Sequence, residues 1–115
     1  MNFYCEPILD QAAKQIKDGF FKQSHQVTNA LYVLGKFQYK PKDGNTNYID
    51  IAMNKIMDDP TLNFTNASRN LWNLYALDHF NKSAFAHFTQ IILKTKPEKL
   101  NTLDIANCLR AYAHF

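Results

Sequence analysis

The stretch NASRNLWNLYALDHF, residues 66–80, carries an apolar frame that the chain uses three times. In this frame, a small or aliphatic residue is followed by apolar residues four, seven and ten positions later. The three copies consist of Val27, Leu31, Leu34 and Phe37; Ala67, Leu71, Leu74 and Leu77; and Ile105, Leu109, Tyr112 and Phe115. This spacing predicts that each copy is one amphipathic helix, because it places the four residues on one side of an α-helix.

The copies recur at an almost constant distance. Leu31 and Leu71 are 40 residues apart, and Leu71 and Leu109 are 38 apart. A second set of apolar residues repeats at the shift of 40, with Leu9, Ala12, Ala13 and Ile16 aligning with Ile49, Ala52, Met53 and Ile56. Two helices in each period of about 40 residues are typical of helical repeat proteins. The sequence therefore predicts an all-α fold, an α-solenoid of antiparallel helix pairs with a period of about 38–40 residues.

Turn and capping signals divide the 115 residues into six expected helices within a single domain. These helices are expected at residues 7–17, 24–37, 48–57, 66–79, 82–94 and 102–115. The expected N-caps are Ser24, Thr65 or Asn66, Asn81 and Asn101. In repeat terms, a helix of a preceding unit (about 7–18) is followed by two full repeats (about 24–58 and 65–95) and by the first helix of a further unit (about 102–115). Two interpretations follow: a segment of a longer array, which we favour, or an array whose ends a partner covers.

Composition sets limits on the function. Hydrophobic residues make up 46% of the chain, but no apolar run approaches the roughly 20 residues of a membrane span. The formal net charge of +3 permits nucleic-acid binding without indicating it, because thirteen basic residues face ten acidic ones. Cys5 and Cys108 are far apart in the sequence, which favours a reducing compartment. The N-terminal stretch MNFYCEP has the features of neither a secretory signal nor a transit peptide.

The sequence offers little support for catalysis or metal binding. The four histidines, at positions 25, 79, 87 and 114, lack metal-ligand spacing. The pair Asp78-His79 is not matched by a nucleophile in a recognisable turn, and the three isolated glycines form no phosphate loop. We therefore expect no enzymatic activity, cofactor, metal or small-molecule substrate.

The repeated helix resembles a known family. The segments RNLWNLYAL (69–77) and IANCLRAYA (105–113) are similar to the Ala-Asn-x-Leu-Trp-x-Leu-x-x-Leu helix of octotricopeptide and related heptatricopeptide repeats. Leu71-Trp72 is the sharpest match, whereas Tyr32 and Arg110 stand at the Trp position in the other copies. The resemblance implies a mitochondrial or plastid protein that binds RNA on a superhelical surface, including as a component of a mitochondrial ribosome. No segment is similar to the RAP domain that often accompanies these repeats.

If RNA is bound, stacked helices would present one polar side chain per repeat to successive bases. Candidates flank the apolar frame: Asn29, Arg69, Asn70, Asn73, Asn107 and Arg110. Asn and Arg suit this role because they hydrogen-bond to base edges or phosphates, and Arg also stacks on bases. The candidates for phosphate contacts are Lys22, Lys36, Lys82 and Lys94. For each of these candidates, the alternative is an ordinary solvated helix face or a hydrogen bond from one helix to another. Trp72 and Tyr32 could stack on bases, although packing between repeats is the stronger interpretation.

A second functional hypothesis remains open from the sequence. The same helical surface could hold protein neighbours, making the chain a structural scaffold subunit of a large mitochondrial complex. A basic face clustered on one side of the superhelix would favour RNA binding, and an apolar concave face with uncovered ends would favour the scaffold.

Overall fold

Six α-helices account for most of residues 5–115, the part of the chain that the computed structural model describes. They are α1 (Glu6–Lys17), α2 (Ser24–Lys36), α3 (Asn47–Met57), α4 (Phe64–Ala76), α5 (Lys82–Lys94) and α6 (Thr102–His114), with a short 3-10 helix at Pro97–Lys99 between the last two. This confirms the predicted all-α class and helix order. The expectation about targeting signals depends partly on residues 1–4, which lie outside the described part.

Two of the predicted N-caps are confirmed. The Asn81 side-chain oxygen accepts a hydrogen bond from the Ala84 backbone N–H at 2.9 Å. Asn101 does the same for the Asp104 N–H at 2.8 Å. Each bond satisfies one backbone donor that the first turn of a helix otherwise leaves unpaired.

The predicted N-caps of α2 and α4 were wrong by one to three residues, although α2 begins at Ser24 as predicted. Helix α4 is capped by Asn63, because the side chains of Asn63 and Asn66 each accept from the other's backbone N–H at 3.0 Å. Such reciprocal bonding satisfies more backbone groups than a single cap at Thr65 or Asn66. In α2, Gln23 is the N-cap and Ser24 is already helical. The Ser24 hydroxyl instead donates to Asp59, just after α3.

The ends of α2 and α4 repeat each other in detail. Gln38 and Asp78, 40 residues apart, both have positive φ, at 51° and 52°. The next N–H groups, of Tyr39 and His79, bond back to the carbonyls of Leu34 and Leu74 at 3.0 Å. This left-handed ending satisfies the last helix carbonyls and stops the helix. The prediction that the fourth helix runs to residue 79 was therefore wrong.

A polar tie repeats at the same shift. The Tyr39 hydroxyl donates to Asp10 Oδ1 on α1 at 2.5 Å, and His79 Nε2 lies 2.8 Å from Asp50 Oδ1 on α3. In both cases the residue after the left-handed position is bound to an aspartate of the preceding odd-numbered helix. The residues that form the repeat therefore include polar contacts as well as the apolar frame.

The helices lie in two layers. Odd-numbered helices contact their neighbours in the order α1, α3, α5, and even-numbered ones in the order α2, α4, α6. The layers meet where α2 packs on α1 and α3, and where α4 packs on α5. Fully buried side chains at this seam include Leu31, Leu34, Met53, Leu71 and Phe88. These contacts are those expected of stacked helix pairs; continuation of the stack as an α-solenoid stays a prediction.

Candidate nucleic-acid interface

The even-numbered layer presents a row of equivalent positions to solvent, away from the odd-numbered layer. Asn29, Arg69 and Asn107 occupy one position of the repeat, and Tyr32, Trp72 and Arg110 occupy the position three residues later. Asn29, Arg69 and Arg110 are exposed, and Asn107 is half-buried. Residues three apart in a helix lie on one side of it, so the six side chains form one face across α2, α4 and α6. We call this surface the outer face.

Tyr32 and Trp72 pack together at the centre of the outer face. Their ring centroids are 5.3 Å apart, with the ring planes at 39°. The Lys36 ammonium lies 5.5 Å from the centroid of Tyr32 and 5.6 Å from that of Trp72, within the range of cation–π attraction. Contact between neighbouring repeats confirms the packing interpretation of these aromatics. Tyr32 nevertheless remains 39% exposed, and Trp72 is only half-buried.

Gly35 allows the two helices to approach at this point. A Cβ atom on Gly35 would lie 3.0 Å from Ala76 Cβ and 3.3 Å from Trp72 Cζ3. Both distances are shorter than ordinary van der Waals contact, so the absence of a side chain brings α2 close enough for Tyr32 to reach Trp72. This role explains a glycine inside the last turn of α2.

A groove continues the outer face toward the C-terminal ends of these helices. Its lining includes Lys36, Lys40, Trp72, Tyr75, Asp78 and His114. His114 Nε2 lies 2.7 Å from Asp78 Oδ1. This hydrogen bond is the main reason why the pKa of Asp78 falls below its ordinary value, and the positive charges of His114 and Lys40 act in the same direction. The one carboxylate of the groove is therefore held by a histidine.

Two predicted RNA contacts, Asn70 and Asn73, were wrong. Both side chains are fully buried and face α2. Asn70 Nδ2 donates to Thr28 Oγ1 at 3.2 Å, and Asn73 Nδ2 donates to the Thr28 carbonyl at 3.3 Å. Asn73 Nδ2 also reaches Asn70 Oδ1 at 3.2 Å. They fasten α4 to α2, so RNA cannot reach them in this conformation.

The four predicted lysines do not lie on one surface. Lys36 belongs to the outer face. Lys22 lies in a groove with Asp58 and Asp59, and its ammonium donates to the Gly19 carbonyl at 3.3 Å. Lys94 lines a different groove, near the start of α4, together with Lys96 and Lys99. Lys82 is the first residue of α5. All four are exposed, but only Lys36 lies beside the aromatic pair.

Sequence reasoning also missed three residues of this surface. Lys40 lies four residues after the end of α2, and Tyr75 lies three residues after Trp72. His114 stands 38 residues after Ala76, which in turn stands 40 after Lys36. The repeat shift therefore carried a signal for His114, which occupies the equivalent of Lys36. Tyr75 and His114 meet edge to face, with centroids 5.3 Å apart.

Cys108 has the surroundings of a packing residue and not those of a reactive thiol. Cys108 is buried against α4, and burial together with nearby Asp104 raises the pKa of its thiol to about 11. Within residues 5–115, no cluster of three or more His, Cys, Asp or Glu side chains could hold a metal ion. None of the helices in that range is both long and apolar enough to cross a bilayer.

Comparison with known proteins adds no relative. No protein-family model, curated protein or solved structure matches this chain. The structure itself defines the class, an all-α helical repeat protein.

Proposed function

We propose that the chain binds single-stranded RNA, without catalysis, along the outer face of α2, α4 and α6. The observation that carries the proposal is the partly exposed aromatic pair with Lys36 beside it, on the same face as the exposed Arg69 and Arg110. Aromatic faces stack on bases of any sequence, and cations nearby contact phosphates. The organellar setting belongs to the same proposal and depends on the resemblance to octotricopeptide-type repeats.

The spacing of the outer face suits a strand of nucleotides. Packed helices lie about 8–10 Å apart, and helical-repeat proteins that read RNA commonly use one repeat per base. Asn29, Arg69 and Asn107 would then meet successive nucleotides, because they occupy the same position of three consecutive repeats. Within residues 5–115, neither Arg69 nor Arg110 forms a salt bridge, so their guanidinium groups are available to a ligand.

Fluorescence anisotropy with a labelled mixed-sequence RNA of about 12 nucleotides tests the proposal. Tyr32→Ala should weaken binding by about tenfold, because losing one stacked base costs about 1–3 kcal/mol. Arg69→Ala should weaken it and lower the slope of log K against log salt by about 0.7, the value for one phosphate contact on a single strand.

The matched control is Lys17→Ala, which removes an exposed cation from α1, in the other layer. It changes the net charge as Arg69→Ala does, but lies away from the outer face. Circular dichroism should show that all three variants remain folded. Equal losses of RNA affinity in Lys17→Ala and Arg69→Ala would mean that the binding results from general charge attraction, and would contradict the proposed face. Absence of RNA binding at low salt would contradict the function itself.

A further inference from the structure

A groove lined by three lysines and by no carboxylate lies between the start of α4 and the end of α5. Lys94 is the last residue of α5, and Lys96 and Lys99 belong to the connection that leads to α6. The remaining lining side chains are apolar or uncharged polar ones. The groove has a volume of about 590 Å³, which is within the range of small-ligand sites. We call it the lysine groove.

The three ammonium groups of the lysine groove have no acidic partner. All three lysines are exposed, and none of them forms an ion pair within residues 5–115. Glu98 is the nearest carboxylate in the sequence, but it does not line the groove. Like charges that face one concave surface raise its positive potential, and a bound anion would lower the repulsion between them.

A second groove has the same place in the repeat but a different charge. It lies between the start of α2 and the end of α3, and we call it the aspartate groove. The first two residues after α3, Asp58 and Asp59, both line it. The first two residues after α5 are Thr95 and Lys96. At the second of these positions, a carboxylate in one groove corresponds to an ammonium group in the other.

The aspartate groove already contains an anion that belongs to the chain. The Asp59 carboxylate accepts hydrogen bonds from the hydroxyl of Ser24, at the start of α2, and from the hydroxyl of Thr61 at 2.6 Å. These bonds lower the pKa of Asp59 to about 2, so the group is ionised at neutral pH. Together with Asp58 it balances the two lysines of this groove. In the lysine groove, a ligand would supply the anion.

The opening of the lysine groove does not require the absence of a further helix. Its walls come from α4, α5 and the connections beside them. In the aspartate groove, the next helix of the odd-numbered layer is α5, and it contributes no lining residue. A helix added after α5 would stand in the same relation to the lysine groove and would leave it open.

The charge and the floor of the lysine groove indicate the class of ligand. A phosphate monoester carries a charge of about −1.5 to −2 at pH 7 and several strong acceptor oxygens, which suits three ammonium groups. The floor beside them is apolar, since Leu62 and Ile91 are half-buried there next to the buried Phe64. A nucleobase offers a flat apolar face to such a floor, whereas the hydroxyl groups of a sugar phosphate would lose water on it.

We propose that the lysine groove binds a nucleoside 5′-monophosphate, with its phosphate among the three lysines and its base over Leu62 and Ile91. The same chemical group occurs in a free nucleotide and at the 5′-phosphorylated end of an RNA. The proposal does not rest on the outer face, because none of the residues that define that face lines the groove. It assigns Lys94, one of the predicted phosphate contacts, to a site of its own.

NMR titration of the isotope-labelled full chain at low salt tests the proposal. Adenosine 5′-monophosphate, added to about 10 mM so that weak binding is detected, should shift the amides of residues 62–65 and 91–99. Adenosine lacks the phosphate and inorganic phosphate lacks the base, so each should bind at least about fivefold more weakly.

A trinucleotide with a 5′-phosphate, compared with the same trinucleotide with a 5′-hydroxyl, distinguishes the two sources of the ligand. In both cases the shifts of residues 62–65 and 91–99 are the readout. Tighter binding of the phosphorylated trinucleotide than of adenosine 5′-monophosphate would assign the groove to an RNA end. Weaker binding would assign it to a free nucleotide.

Two charge reversals provide a matched comparison. Lys94→Asp should weaken the binding of adenosine 5′-monophosphate by about tenfold or more, because it places a carboxylate beside the phosphate. Lys17→Asp is the control, since Lys17 is the exposed last residue of α1 as Lys94 is of α5. It makes the same change of net charge and should leave the affinity within about twofold. Circular dichroism should show that both variants remain folded.

Three outcomes would overturn the proposal. The first is the absence of shifts at residues 62–65 and 91–99 at the highest concentration of adenosine 5′-monophosphate. The second is equal affinity for inorganic phosphate and for the nucleotide, since the groove would then be a general anion site. The third is an equal loss of affinity in Lys94→Asp and Lys17→Asp, which would mean that the nucleotide responds only to the net charge of the chain.

Discussion

Helices α4 and α6 carry the same apolar frame 38 residues apart, yet Leu71 is fully buried and Leu109 is 61% exposed. The difference does not come from the two leucines or from their place in the helix. Leu71 is covered because α4 has neighbours on three sides, α2, α5 and α6. Helix α6 packs mainly on α4. The frame therefore predicts which side of a helix can be buried, and the neighbouring helices decide whether it is.

Helices α4 and α6 also differ on the side that packs against the preceding even-numbered helix. Helix α4 meets α2 through a hydrogen-bonded group, Asn70, Asn73 and Thr28. At the equivalent positions α6 presents Cys108 and Ala111 to α4, and both are buried. At these two positions, α4 is joined to α2 by directional bonds, whereas α6 is joined to α4 by apolar contact. Matched variants of α4 and α6 can therefore measure the effects of packing, hydrogen bonding and exposed charge separately.

The largest expected effect is on packing. Leu71→Ala should lower the free energy of unfolding by about 2–5 kcal/mol, because it removes buried methyl groups and leaves a cavity. Leu109→Ala should lower it by less than about 1 kcal/mol, because most of that side chain already contacts water. Urea unfolding followed by circular dichroism measures both. Similar losses for the two variants would mean that α6 is covered in solution, contrary to the comparison.

The next effect concerns the hydrogen-bonded junction. Asn70→Ala removes one partner of the buried Thr28 hydroxyl and of the Asn73 amide, and should cost about 1–3 kcal/mol of stability. The control is Asn107→Ala on α6, a half-buried residue, which should change stability by no more than about 0.5 kcal/mol.

A double variant sharpens this test. Asn70→Ala with Asn73→Ala removes both amides and should cost less than the sum of the two single changes, because fewer polar groups remain buried without a partner. An additive result would contradict the shared network.

The period of the apolar frame made much of the fold predictable. Six helices, the shift near 40 and the caps Asn81 and Asn101 all follow from local signals that the sequence carries. The end of α4 did not, because a left-handed Asp78 ends the helix without the glycine that normally marks such a position. The predicted start of α4 was wrong because Asn63, Thr65 and Asn66 are all good capping residues. Only reciprocal bonding selects Asn63.

The candidate site was less predictable than the fold. Arg69, Arg110 and Lys36 are exposed, as expected for polar residues outside the frame, and their contact with RNA stays a prediction. The predictions for Asn70 and Asn73 were wrong because a repeat helix has two further sides, which face its neighbours in the even-numbered layer. Their partner Thr28 lies more than 40 residues away in the chain, and the helical period cannot reveal that contact. The amide groups of Asn70 and Asn73 are polar, but they form their hydrogen bonds in the protein interior.

The smallest expected effect is electrostatic and concerns the point where α6 is attached to the end of α4. The hydrogen bond with His114 holds the pKa of Asp78 below its ordinary value of about 3.9. Because the folded pKa is the lower one, the stabilisation is present above the unfolded pKa and is lost as pH falls through the folded pKa.

His114→Phe keeps an aromatic ring beside Tyr75 and Phe115 but removes the bond, so the pKa of Asp78 should rise toward its ordinary value. NMR titration of the carboxyl carbon measures this shift. The matched control is His87→Phe, which alters a histidine of α5 that meets Phe88 edge to face and should leave the pKa of Asp78 unchanged. Since Asp78 is exposed, its stabilising effect should also weaken in high salt. An unchanged pKa of Asp78 in His114→Phe would mean that the bond between His114 and Asp78 does not form in solution, and that the C-terminal turn of α6 can separate from α4 without losing it.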